Sequence, residues 1–155
     1  MPTTSAEAQL AKCIAKYEPA IVALARAALS TMRKLLPGAL ELVYDNYNAR
    51  AIAFGPTERT PDVICSITLY PRWVSLFFRR GAELPDPLKL LKGSGSTVRH
   101  IVLDSAATLD EPAVRALIAQ AVARAPQPLD RTQRRRVVIK LQVANPRPRR
   151  PASRH

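Results

Sequence analysis

From Ser5 to Leu36 apolar residues recur at helical spacing, with Ile21, Leu24, Ala28, Met32 and Leu35 on one stripe. Alanine is abundant there and favours helix. Pro19 would remove a mid-helix hydrogen bond, so it kinks this run or starts a second helix, and Pro37-Gly38 stops it. The period then changes. Leu40–Tyr47, Arg50–Phe54, Val63–Tyr70 and Trp73–Arg79 are short runs rich in β-branched and aromatic residues. The breaks between them, at Asn48-Ala49, at Gly55 to Glu58 and at Pro71-Arg72, are too short for crossovers. They therefore predict antiparallel neighbours in a meander. In the fourth run both alternating sets, Trp73/Ser75/Phe77 and Val74/Leu76/Phe78, are apolar enough for an internal strand with helix over at least one side.

Residues 81–86 read as a loop and Pro87 to Leu91 as a short helical turn. Gly93-Ser94-Gly95 reverses the chain into a fifth strand, Val98–Leu103. Asp110 is placed to cap a helix that tolerates Pro112 in its first turn and aligns Val114, Leu117, Ile118, Ala121 and Val122. Pro126 and Pro128 end it. Further on, Val137, Ile139, Leu141 and Val143 alternate with Arg136, Val138, Lys140 and Gln142. That pattern predicts an edge strand over 136–143 with Arg136 and Lys140 outward, where cations also discourage aggregation. From Asn145 onward the Pro-Arg-Pro-Arg-Arg-Pro run is expected to stay extended and solvated.

The pattern amounts to one α+β domain over 1–125 and a basic Pro/Arg-rich tail over 126–155. Its fold class is an antiparallel sheet of five to six strands packed against an N-terminal helix, kinked or double, and a C-terminal helix. At 47% hydrophobic residues the 155-residue chain can bury a continuous core. It lacks a run of about 20 apolar residues and a secretory-type start, so the expectation is a cytoplasmic protein with no membrane partner. Charge changes the picture most. The net charge is +12, and nine basic residues with no acid lie between Arg131 and His155, leaving only +3 for the rest. Such a tail would draw nucleic acid or another polyanion, with Arg134, Arg135, Arg136, Lys140, Arg147, Arg149 and Arg150 as candidate contacts.

Little else in the chain points to chemistry. Cys13 and Cys65 are too few and too far apart for a disulfide framework or zinc cluster, and read as small buried hydrophobes. No His-x-x-x-His, calcium-type loop or Gly-x-Ser-x-Gly elbow occurs, so no catalytic residue, metal site or cofactor is assigned, and the protein reads as a non-enzyme. The loop Lys92 to Thr97, with Gly93 and Gly95, could converge backbone N–H groups on an anion, helped by Lys92 or Arg99. It leads into a strand, though, where a P-loop leads into a helix. His100 could donate a proton beside such a pocket, or simply be a strand residue with a hydrogen bond. Tyr44, Asp45, Tyr47 and Asn48 form a polar-aromatic cluster at the first hairpin that could line a cleft.

The run Trp73-Val-Ser-Leu-Phe-Phe-Arg-Arg-Gly-Ala-Glu-Leu-Pro-Asp-Pro87, with Leu90 to Gly95 and Val98 to Leu103, resembles the YdhG-like family of bacterial domains of unknown function. The resemblance spans about residues 35–125, and Val43 to Asn48 and the Arg-Pro-Arg-Arg-Pro ending look like one subgroup. It implies an α+β sandwich and, for some members, frataxin-like iron handling. Two features depart from the pattern. Ser96 stands where members commonly carry lysine, and the N-terminal helix offers only Glu7 and Glu18 as carboxylates. Together these readings give a non-catalytic binding or chaperone-like protein with an unidentified small ligand or protein partner. Its ligand site is expected in a cleft between sheet and helices, drawing on Tyr44, Tyr47, Trp73, Lys92, Gly93, Gly95, Arg99 and His100. Polyanion binding through the tail and iron handling are the alternatives.

Overall fold

The computed structural model describes residues 5–46, 48–142 and 147–151, so Tyr47, Val143 and Arg154 lie outside the described residues. The Ser5 hydroxyl accepts from Ala8 N at 3.1 Å and opens α1 (Ala6–Ile14). Pro19 sits at the first position of α2 (Pro19–Leu35), where its missing N–H costs nothing, so the long apolar run folds as two helices. A five-stranded antiparallel meander follows: β1 (Leu40–Asp45), β2 (Arg50–Gly55), β3 (Cys65–Leu69), β4 (Val74–Phe78) and β5 (Arg99–Leu103). After α3 (Pro112–Ala123), β6 (Val137–Gln142) joins the free edge of β1, giving the order β5-β4-β3-β2-β1-β6.

The fold is thus α+β with a mixed six-stranded sheet and three helices. The β1–β6 pair is parallel, so the sheet is not wholly antiparallel. Parallel pairing needs a long crossover, and α3 with residues 124–136 supplies it. The register of this pair slips between Val43 and Tyr44, whose partners are Ile139 and Leu141, leaving Lys140 as the extra residue of a bulge.

Two local expectations are corrected. Asp110 does not cap α3. Glu111 stands at the N-cap position, Pro112 follows, and the Asp110 carboxylate accepts from Arg115 Nη2 at 2.7 Å. Pro87 to Leu91 makes one hydrogen-bonded turn and no helix: Lys89 N donates to Asp86 O at 3.1 Å, Lys89 then takes a positive φ of 55°, and the Asp86 carboxylate accepts from Leu90 N at 2.9 Å and Leu91 N at 2.8 Å.

One face of the sheet carries all three helices. Val43, Ile52, Phe54, Ile67, Leu76 and Ile101 share a single core with Ile21 and Met32 of α2 and Leu117 of α3. The opposite face has only a small apolar cluster, Leu40, Leu42 and Ala53, flanked by Tyr44, Val63 and Val138.

The connection into β6 is pinned at Gly38. Its φ is +87°, and a Cβ there would lie 1.9 Å from the Asp130 carbonyl oxygen. Gln133 Nε2 donates to the carbonyls of Gly38 at 2.7 Å and Pro56 at 3.0 Å. Gly38→Ala therefore combines positive-φ strain with a backbone collision. We expect it to cost about 2–3 kcal/mol, read as a lower urea midpoint with unchanged slope.

Candidate ligand groove on the helix-free face

Strand alternation sorts the sheet residues by size. On β2, Ile52 and Phe54 point to the helices, and Ala51 and Ala53 point away. On β3, Ile67 and Leu69 face the helices, and Ser66 and Thr68 face away. The register sets Ala53 beside Ser66 and Ala51 beside Thr68. Two adjacent central strands therefore present side chains no larger than threonine on the uncovered face. Three of their four outer neighbours are larger, Leu42 and Tyr44 on β1 and Phe77 on β4; the fourth, Ser75 beside Thr68, is small and widens the floor. Small side chains between large ones make a trough along the strands.

The trough is a groove of about 670 Å³, within the range of ligand pockets. Tyr44 forms one wall, its hydroxyl 2.6 Å from Thr60 Oγ1 in the β2–β3 connection. Phe77 forms the other, backed by the His100 ring at 5.0 Å and 28°. Arg79, exposed just beyond β4, lines one end beside Val63 and Val98. Asn46, Asn48 and Tyr70 line the opposite end. Arg79 is the single charged side chain in this lining. Tyr70 stacks on Trp73, centroids 4.5 Å apart, and burial raises its phenol pKa. The Cys65 thiol at the groove's margin is buried, and that burial pushes its pKa up to about 12, removing it as a nucleophile near neutral pH.

The helix side of β1 is built differently, from charge. Glu41 is 0% exposed and accepts from Arg33 Nε at 2.8 Å and Nη2 at 2.9 Å. Arg135 Nη1 reaches the same carboxylate at 3.4 Å and also pairs with Glu7 of α1. That guanidinium holds the Glu7 carboxyl below its ordinary range through a hydrogen bond and its charge. Farther along β1, Asp45 accepts from Arg50 at 2.7 Å and Arg149 at 2.5 Å. Arg149 also donates to Asn46 O at 2.7 Å, and its guanidinium lies 6.0 Å from the centre of the Tyr17 ring. Burial, and secondarily the Arg149 charge, pull the Arg50 pKa down to about 10. Burial likewise pushes the Tyr17 phenol up to about 12, and that hydroxyl donates to Leu69 O at 3.1 Å.

The residues singled out by sequence land in three places. Tyr44 lines the groove, and Trp73 and His100 stand behind it, stacked on lining residues Tyr70 and Phe77. Lys92, Gly93 and Gly95 belong to a separate loop at the outer edge of β5, and Arg99 is the strand's first residue. There Lys92 and His100 exchange backbone hydrogen bonds at 2.8 and 2.9 Å. The Arg99 guanidinium donates to Gly95 O at 2.5 Å and Val98 O at 2.8 Å, so loop carbonyls converge on a cation. This groove lies on the face away from the helices, whereas Trp73 also lines a cavity of about 600 Å³ between α2 and the end of the sheet at Val102 and Leu103.

The tail arginines are distributed too. Arg135 and Arg149 sit on body carboxylates as described, Arg136 pairs with Glu58 at 3.2 Å, and Arg150 Nε donates to Lys16 O at 3.1 Å. Arg134, Lys140 and Arg147 are exposed. The expectation of a solvated segment after Asn145 is corrected at Arg149, which is 6% exposed because Asp45 and Asn46 draw it in.

Sequence reasoning missed Ala51, Ala53, Ser66, Thr68, Phe77 and Arg79 as site residues. The signal was the strict large–small alternation of β2 and β3, visible as Ala-Ile-Ala-Phe and Ser-Ile-Thr-Leu.

Among the described residues no helix is long and apolar enough to cross a membrane. No three His, Cys, Asp or Glu side chains among them gather as a metal site requires. In comparisons with known proteins, no family model, no curated protein and no solved structure matches the chain.

Proposed function

We propose that this is a non-catalytic binding protein, YdhG-like in kind, whose ligand lies in the groove on the helix-free face. One observation carries the reading: a trough of about 670 Å³ floored by Ala51, Ala53, Ser66 and Thr68 and walled by Tyr44 and Phe77. A sheet face left bare for solvent alone has no need to place its smallest residues on two central strands between aromatic walls. The groove pairs apolar area with hydroxyls and amides, the composition of a site for a small organic molecule. Its lining offers no carboxylate and no imidazole, so the hydroxyls of Thr60, Ser66 and Thr68 have no such general base among the lining residues. The YdhG-like assignment rests on the Trp73–Pro87 run and is part of the proposal.

The tail-binding alternative draws less support, since Arg135, Arg136 and Arg149 are engaged by Glu7, Glu41, Glu58 and Asp45. Iron handling draws none from Glu7, which is engaged by Arg135.

Filling the trough tests the reading. Ser66→Phe puts a ring on the floor without touching the helix-side core. With the neutral planar dye Nile red, the unaltered chain is expected to give saturable fluorescence enhancement at one site. Ser66→Phe should weaken it at least tenfold while circular dichroism and the thermal midpoint hold. Equal dye binding by both proteins, or none by either, sinks the reading.

A further inference from the structure

We propose that the groove selects a planar organic monoanion, an aromatic carboxylate, with its carboxylate on Arg79 and its ring between Tyr44 and Phe77. The inference rests on the groove being the ligand site and adds the chemical class of ligand.

Charge comes first. Arg79 is exposed at the groove end and has no acidic partner among the described residues. Several other arginines are held by carboxylates, Arg33 and Arg135 on Glu41, Arg50 and Arg149 on Asp45, Arg115 on Asp110 and Arg136 on Glu58. Arg26, Arg59 and Arg72 are exposed as Arg79 is, but of these Arg79 is the one that lines the groove. A guanidinium left unneutralised at the mouth of an otherwise uncharged groove complements one negative charge. Its planar fork matches the two oxygens of a carboxylate, so recognition can be bidentate. A phosphodiester chain calls for several cations along its path, and the groove lining supplies one.

Shape comes second. The floor has no side chain beyond the γ position, so a flat body can lie close to the two central strands. Phe77 cannot readily swing away, because His100 stacks against it at 5.0 Å. The Tyr44 hydroxyl is held by Thr60 at 2.6 Å. Two rings held from behind make a preformed slot, which lowers the ordering cost of binding. At the end away from Arg79, Asn46 and Asn48 can bond a hydroxyl or amide on the far side of the ring.

The test compares 4-hydroxybenzoate with its neutral near-isostere 4-hydroxybenzamide, titrated into the full isotope-labelled chain and followed by amide chemical shifts. The acid is expected to shift β2, β3 and Arg79 resonances and to bind at least tenfold tighter than the amide. Arg79→Gln, at an exposed position, should fold normally and bring the two to equal affinity. Arg79→Lys should restore only part of the difference. Equal affinities in the unaltered chain, or a preference that survives Arg79→Gln, overturn the carboxylate assignment while leaving a groove that binds. Absence of shifts at β2 and β3 with either compound overturns the groove reading as well. Tighter, Arg79-dependent binding of a thymidine 12-mer would replace the carboxylate with single-stranded nucleic acid.

Discussion

Glu41→Ala is expected to cost about 3–4 kcal/mol of folding stability, near the upper end for a single substitution. The carboxylate is fully buried and is the shared acceptor of two guanidiniums from different parts of the chain, Arg33 of α2 and Arg135 of the segment before β6. Removing it leaves two cations facing the helix–sheet seam with one exposed acid, Glu7, to share. Both arginines keep about a third of their side-chain surface in water. They can therefore partly rehydrate, which places the cost toward the lower end of the range for breaking a buried pair. Guanidinium chloride unfolding reads it directly. The double change Glu41→Leu/Arg33→Leu separates charge from shape, since well-packed apolar replacements can equal a buried pair. It should recover at least half of the loss. A single-mutant loss under about 1 kcal/mol would show that the seam is held by packing alone.

That network also shows where sequence reading stops. The helices were legible because their apolar residues keep a 3.6 period and Pro19 marks the break. The meander was legible because its connections are short. β6 was legible from the alternation of Val137, Ile139 and Leu141, though not its parallel sense, which depends on which edge the α3 crossover reaches. The basic tail was misread at Arg149 because charge pairing is non-local. Arg149 meets an aspartate 104 residues earlier, and Arg135 meets Glu7 128 residues earlier. Nothing within a local window reports such a pairing. The groove was missed for a related reason. Ala51 and Ala53 look like weak strand residues until one knows that all three helices cover the opposite face. Only then do small residues on β2 and β3 become a floor. Tyr44 and Asn48 were legible as cleft-lining residues, because a polar-aromatic cluster at a hairpin carries its own signal.

The same pairings make a sharp prediction about chain length. A chain ending at Arg136 loses β6 and is expected to collect in inclusion bodies or to unfold without a cooperative transition. Val137 is 8% exposed, and Val138 and Ile139 pack against opposite faces of the sheet. Their burial together contributes roughly 3–5 kcal/mol, allowing for partial exposure. That is a large part of the roughly 5–15 kcal/mol that holds a domain of this size. Loss of β6 also bares the β1 edge, whose apolar Leu40, Leu42 and Val43 then offer a pairing template to other chains. A chain ending at Gln142 is expected to behave otherwise. It keeps the sheet whole and gives up Arg149, but Asp45 retains Arg50 at 2.7 Å, and the repulsion that Arg149 imposes on Arg50 is relieved. The loss should stay within about 2 kcal/mol, with a cooperative thermal transition and a monomeric elution volume. If the chain ending at Arg136 were instead soluble and cooperative, β6 would be an appendage on a complete five-stranded domain. The Glu41–Arg135 contact would then serve to tether that appendage, not to close the sheet.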